Sequence, residues 1–434
     1  MLRKILQLLI LLIIISALVL GIYYFTSTRN QPTIPGEQKK SFSFKDFLPF
    51  GTKKVTTTED TNGSIEVPAD LAAPVVEAPK KMYRLSNRKV VAIVPYQKER
   101  LIDVPVATST TKTKLSQPTK EITYDYGVRF LEKTSGLIYE MMNAIPGVEK
   151  RISDSVTPTL GEGMIGNDGN SLVSRFLRPE DDATIDTFVG NIVGMSTPAK
   201  IIGSFLPRNV VSISVSPDGS KYFYLYPING GTSGVVTNFV GGNKTTVFTS
   251  PFVEWATSWT NQQFITIYPK PSGLVKNYVY RLDAGTGEMK KLVGALPGLT
   301  AIMSPDGTMV AYSHSKNNST ALTIYSPDQM KGKETGLQTL SDKCVFSPDS
   351  RYLYCAVPNN ISGATYPDAW YKGEVSFEDS FWKLDVENQA YYLLVDTTET
   401  GDSVDATNLQ ISKDGSLLYF IDKKDDTPWV VETR

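Results

Sequence analysis

Histidine is almost missing from this sequence: His314 is the one histidine among 434 residues, beside only two cysteines, Cys344 and Cys355. That scarcity excludes a Cys/His zinc cluster, a haem-attachment motif and a disulfide-rich scaffold. A catalytic triad would have to rely on His314, and the G-x-S-x-G elbow that carries a hydrolase serine does not occur. An excess of either charge is lacking as well. Forty-four Lys and Arg against 45 Asp and Glu leave a formal charge of -1, which argues against a surface built around a nucleic-acid backbone. Acidic runs such as Glu180-Asp181-Asp182 and Asp425-Asp426 lack the alternating spacing of a calcium loop and read as solvated turns. What is present suffices for a core, with 41% hydrophobic and 10% aromatic residues.

Charge is also absent from residues 5–25, ILQLLILLIIISALVLGIYYF. A helix of that length spans the hydrocarbon layer, and the apolar run exceeds that of a cleaved secretory signal. An uncleaved signal anchor is therefore expected. Arg3 and Lys4 precede it, so residues 1–4 form a cytoplasmic stub and the rest of the chain lies outside the cytoplasm, on a single-pass plasma-membrane protein. Residues 26–80 are rich in Thr, Pro and Lys, hold no helical or strand period, and read as a flexible tether.

From residue 81 onward one phrase recurs. It appears as SVSPDGSKYFYLY from Ser214, IMSPDGTMVAYSH from Ile302, VFSPDSRYLYCAV from Val345 and QISKDGSLLYFID from Gln410, with degenerate copies from Met164 and Ser258. The position of its serine falls at 166, 216, 260, 304, 347 and 412, a period near 44. Pro presets a turn, Asp bonds its own downstream backbone, Gly accepts positive φ, and an alternating strand returns. A third and a fourth strand follow, as in NYVYRLD (277–283) and MKKLVG (289–294), which makes each period the size of one propeller blade. Once a Thr/Lys-rich insertion at 97–123 and the surplus of the longest spacing are removed, about 44 residues remain for each of seven blades. The fold expected is all-β, a seven-bladed propeller over 81–434. Its last blade has three C-terminal strands and is completed by KMYRLS (81–86) beside Trp429 to Thr433.

These S-P-D-G hairpins resemble the WD40-like repeats of TolB-like β-propeller proteins, also found as the propeller of prolyl-oligopeptidase-type peptidases. The resemblance implies the fold. It leaves function open, because propellers host binding, scaffolding and catalysis alike. The separate α/β domain of TolB has no room in this chain.

Two sets of residues stand out. In VFSPDSRYLY, Ser347 faces Tyr352 across a four-residue loop, which sets Cys344 directly opposite Cys355. Cross-strand cysteines are within disulfide reach, and two buried thiols are the alternative. The insertion 359–380 carries Tyr366, Trp370, Tyr371 and Phe377, aromatics suited to anchoring a partner or to folding back as a plug over the blade. The expected function is that of a non-enzymatic, membrane-tethered scaffold that binds a protein or an envelope polymer, with no cofactor and no metal. The alternative is a small-ligand or metal-binding sensor or hydrolase that uses the central channel.

Overall fold

The repeated phrase folds into the same turn at each full copy. In the first, Ser216 Oγ donates to Asp218 Oδ1 (2.6 Å) while accepting from the Lys221 N–H (2.9 Å), and Asp218 Oδ1 also accepts from the Ser220 N–H (3.0 Å). Ser304 with Asp306, Ser347 with Asp349 and Ser412 with Asp414 repeat these bonds. Gly219, Gly307 and Gly415 close their turns at φ of 70°, 76° and 71°, where a Cβ would be strained. The third copy has Ser350 there, at φ 62°, and its hydroxyl accepts from the Asp306 N–H of the neighbouring turn.

The computed structural model describes residues 81–104, 119–142, 145–157, 159–194, 197–361 and 363–434. The expected membrane segment and the tether lie outside them. Among the described residues no helix is long and apolar enough to cross a membrane.

The strands form seven four-stranded antiparallel sheets. Blade 1 holds Val90–Val104, Thr119–Glu132, Ile138–Met142 and Lys150–Arg151, and blade 2 holds Glu162–Gly166, Ser171–Arg178, Asp181–Val193 and Lys200–Phe205. Blade 3 runs from Ser212–Val215 to Thr245–Ser250, blade 4 from Trp255–Ser258 to Met289–Pro297, and blade 5 from Thr300–Met303 to Lys331–Glu334. Blade 6 comprises Cys344–Phe346, Tyr352–Pro358, Asp379–Asp385 and Ala390–Val395. In blade 7, Ala406–Ile411, Leu417–Asp422 and Thr427–Glu432 are joined by Met82–Arg84, with Met82 opposite Val431 and Arg84 opposite Trp429. The ring is closed as the repeat arithmetic requires, and the chain is a seven-bladed propeller.

Apolar clusters lie between the blades rather than within them, one at each junction around the ring. This follows from blades buried on both faces, whose middle strands read as continuous apolar runs such as YLYCAVP. Because successive connections alternate ends, the S-P-D-G turns share one end of the ring. The connections between second and third strands, and those between blades, share the other.

One expectation is corrected here. Residues 97–104 and 119–123, read as part of an unpatterned insertion, extend the first two strands of blade 1. The two run paired in unbroken register from Ala92 opposite Leu131 to Val104 opposite Thr119. Thr and β-branched residues favour strand wherever a partner strand is available, so the low-complexity look concealed a ribbon.

The turn aspartates carry an acid signature. Burial pushes Asp218 up, but bonds from Ser216, Ser220 and Gln262 outweigh it and hold the carboxyl at about 2. Asp306 and Asp414 are lowered in the same way, and Asp349 chiefly by Ser347. A depressed folded-state pKa means stability that is present above the ordinary carboxyl value and lost as pH falls toward 2. Thermal melts of Asp218→Asn should therefore show a shallower loss of Tm between about pH 4 and 2 than the parent protein.

Candidate functional site

The end of the ring opposite the S-P-D-G turns is capped by the insertion between the second and third strands of blade 6. Helix α1 (Asp368–Tyr371) forms its centre. Asp368 Oδ2 accepts from the Gly273 N–H of blade 4 (2.7 Å), and the Tyr366 carbonyl accepts from Ser315 Oγ of blade 5. A Cβ on Gly273 or on Gly298 would stand 2.4 Å from that carbonyl, so glycine at both positions admits the backbone of the insertion.

Under this cap is a fully buried charge cluster. Lys343, at the end of the turn leading into blade 6, places Nζ 2.6 Å from Asp405 Oδ1, 2.8 Å from Asp379 Oδ2 and 2.8 Å from the Ala406 carbonyl. All three charged side chains are 0% exposed. Trp370 Nε1 donates to Asp405 (3.0 Å), as do the Phe377 N–H (3.0 Å) and Ser376 Oγ (3.2 Å). Lys343 Nζ also stands 4.9 Å from the Trp370 ring centre and 5.2 Å from that of Phe377. Burial pushes Asp405 up, but Lys343 and these donors outweigh it and hold the carboxyl below its ordinary range. Asp379 goes the other way: burial dominates and pushes it up to about 6, and Oδ1 has no hydrogen-bond partner among the described residues.

The four aromatics singled out in the sequence are brought together here, but not as a docking surface. Tyr366, Trp370 and Phe377 are 1%, 3% and 2% exposed and pack with Leu340 in one cluster. This corrects their reading as partner contacts. Folding back buries three large rings and gives the indole N–H a carboxylate, which an outward-facing Trp would lack. Tyr371 keeps 40% of its surface exposed while its hydroxyl donates to Asp342. Burial, reinforced by Asp342, pushes that hydroxyl well above its usual range, and burial also raises Asp342.

Lys343, Asp379 and Asp405 drew no attention in the sequence. One signal was available: Lys343 immediately precedes the first strand of blade 6 and Asp405 that of blade 7, so opposite charges occupy equivalent repeat positions. Cys344 and Cys355 face each other in register and are joined as a disulfide with a Cα separation of 4.1 Å. His314 lies in the second strand of blade 5, where burial and Lys316 lower its pKa, and its Nδ1 has no hydrogen-bond partner among the described residues. Among the described residues no group of three or more His, Cys, Asp or Glu is arranged to hold a metal.

The second distinctive feature is on the other end. Past Gly127, where pairing with the third strand stops, the first two strands of blade 1 continue as a two-stranded arm. Leu101 and Ile122 are directly opposite and Tyr124 is two residues along, so one face of the arm carries all three. They are 63%, 53% and 40% exposed. On the reverse face Ile102 accompanies an Arg100–Asp125 ion pair of 3.3 Å.

No family model matches the chain, and no curated protein does. Solved structures match in fold. An oligogalacturonate lyase from Vibrio parahaemolyticus is 8% identical, with a TM-score of 0.45 over 71% of this chain and 86% of that one. TolB from Acinetobacter baumannii is 10% identical, with a TM-score of 0.40 over 78% and 80%. A second oligogalacturonate lyase, in complex with manganese, is 10% identical, with a TM-score of 0.44 over 71% and 85%. Enzymes and TolB stand side by side in that set, and the propeller assignment rests on the seven sheets of this chain.

Two substitutions separate packing from hydrogen bonding at the cap. Trp370→Ala should cost about 3–5 kcal/mol in urea unfolding, because an aromatic is removed from a filled site. Trp370→Phe keeps most of the ring and removes one donor from a carboxylate that retains others, for a loss of about 1 kcal/mol. Replacing both Cys344 and Cys355 by Ala should cost up to about 3 kcal/mol on the loop-entropy account, and reductant should then leave the midpoint of the variant unchanged.

Proposed function

We propose that this propeller is a non-enzymatic binding scaffold, displayed outside the cytoplasm on residues 5–25 and the tether 26–80, that engages an envelope or surface protein through the arm of blade 1. The exposed arm carries this reading. A two-stranded ribbon standing alone in water is marginal, and this one turns Leu101, Ile122 and Tyr124 to solvent. Both of its edges also offer unpaired backbone groups among the described residues, the arrangement to which an extended segment of another protein adds as a strand. The buried cap supports the same division of labour, since its aromatics are committed to holding blades 4 to 7 together.

The test is site-specific photo-crosslinking of the full-length protein in its native membranes. A crosslinker at Tyr124 should give one discrete protein adduct, and Leu101→Glu with Ile122→Glu should reduce its yield at least tenfold while leaving the Tm within a few degrees. Adducts that persist unchanged in the double variant would remove the arm from the interface. Absence of any adduct, together with a reproducible rise in Tm on adding Mn²⁺, Ca²⁺ or an acidic sugar, would favour a ligand in the central channel.

A further inference from the structure

The charge cluster under the cap is more than a strut requires. Taking an ammonium and two carboxylates wholly out of water is costly, and apolar residues of similar size commonly serve stability as well or better. The three protons of Lys343 Nζ are matched by three acceptors, Asp405 Oδ1, Asp379 Oδ2 and the Ala406 carbonyl. The two carboxyls are not equivalent. Asp405 collects donors from Trp370, Ser376 and the Phe377 backbone besides Lys343. Asp379 has Oδ2 held by Lys343 and by the Ala406 N–H (2.7 Å), while Oδ1 has no hydrogen-bond partner among the described residues.

From this geometry we infer that Lys343 and Asp379 are the two halves of an intramolecular amide, formed in the folded protein with Asp405 as the proton carrier. Asp405 accepts a proton from Lys343 Nζ, which frees the nitrogen lone pair. The amine attacks Cγ of Asp379, forming the C–N bond. The Ala406 N–H supports the charge that develops on Oδ2. Asp405 returns that proton to Oδ1 and then carries a second one from the nitrogen to the same oxygen; the C–Oδ1 bond breaks as the C=O bond to Oδ2 re-forms, and one water leaves. An ammonium and a carboxylate are consumed, one neutral amide and one water are formed, and Asp405 ends as it began. No oxidant, metal or cofactor enters.

The ionisation preferences agree with these roles: Asp379 is pushed toward its protonated, electrophilic form and Asp405 toward its proton-accepting form. Proximity supplies the rest, since the amine is fixed at contact distance from one carboxyl in a site closed to water. The Trp370 and Phe377 rings and the cap close that site, which gives the fold-back of the insertion a chemical purpose. The product would staple blade 6 twice at adjacent residues. Cys344 ties the first strand to the second, and Lys343 ties its start to the third strand at Asp379.

Peptide mapping of the full-length protein tests for the amide. After reduction, denaturation and trypsin, the expected result is no cleavage at Lys343. In its place a branched peptide containing Lys343 and Asp379 should appear, lighter by one water than its two linear parts together. A linear peptide ending at Lys343, recovered in full yield, overturns the inference. Asp379→Ala should restore cleavage at Lys343. Asp405→Asn, checked for a native circular dichroism spectrum, should restore it as well. A branched peptide persisting in Asp405→Asn would overturn the role given to Asp405, and the wild-type map decides whether the amide exists whether or not that variant folds.

Discussion

The hydrogen bond between a serine and an aspartate two residues later is the interaction on which this ring depends. With one acceptor and one donor it fixes both strands of a hairpin, because the serine hydroxyl also receives the N–H that starts the return strand. The turns then bond to one another. The Asn167 N–H donates to the Gly219 carbonyl (2.7 Å), Gln262 to Asp218 (2.8 Å), Asn261 to the Pro305 carbonyl (2.7 Å) and the Asp306 N–H to Ser350 (3.1 Å). A local turn preference is thereby converted into the angular spacing of blades 2 to 6. Since the apolar clusters lie between blades, that spacing decides whether the core closes.

Much of this was legible because its causes are local. The turn chemistry lies within six consecutive residues, and a period of two assigns each strand's faces, so blade number, register at Cys344 and Cys355, and closure by Met82–Arg84 all followed from short patterns. The insertion was legible only as an exception to the period. Its burial depends on partners far along the chain: Trp370 meets Asp405, 35 residues on, and Asp368 meets Gly273, 95 residues back. A Trp in a Pro- and Gly-containing loop looks the same in sequence whether a carboxylate awaits it or water does. Lys343 was invisible for a related reason, since charge normally marks exposure and only the fold supplies two acids to a buried ammonium.

Blade 1 breaks the pattern, and the break is informative. Where the other blades turn with a short polar loop, its first two strands run on as the arm, and among the described residues the arm contributes no bond to the chain of turn-to-turn bonds. Lys413 of blade 7 reaches past blade 1 to Asp168 of blade 2 at 3.2 Å, an exposed pair worth little in itself. The link at that junction passes instead to side chains within the ring. Arg129 of blade 1, 8% exposed, binds Glu140 at 2.7 Å and reaches the Gly169 carbonyl (3.1 Å) and Asn170 (2.8 Å) of blade 2. Its guanidinium also stands 4.2 Å from the Tyr96 ring centre, at the base of the arm.

That substitution separates the two ends of the molecule by task. At one end the aromatics of the insertion join blades together with Lys343, Asp379 and Asp405, and Lys423 of blade 7 completes the enclosure by donating to the Trp370 carbonyl and covering its ring at 4.2 Å. At the other end the first two strands of blade 1 run on as a ribbon, one face of which exposes Leu101, Ile122 and Tyr124. A propeller needs every blade interface for stability but not every turn, because the middle strands bury the clusters and the turns only set their spacing. A turn-to-turn bond can therefore be given up where a buried arginine takes over the link, as Arg129 does between blades 1 and 2. The exposed face of the arm is tolerated for that reason: the described strands and clusters of the ring do not draw on it for closure.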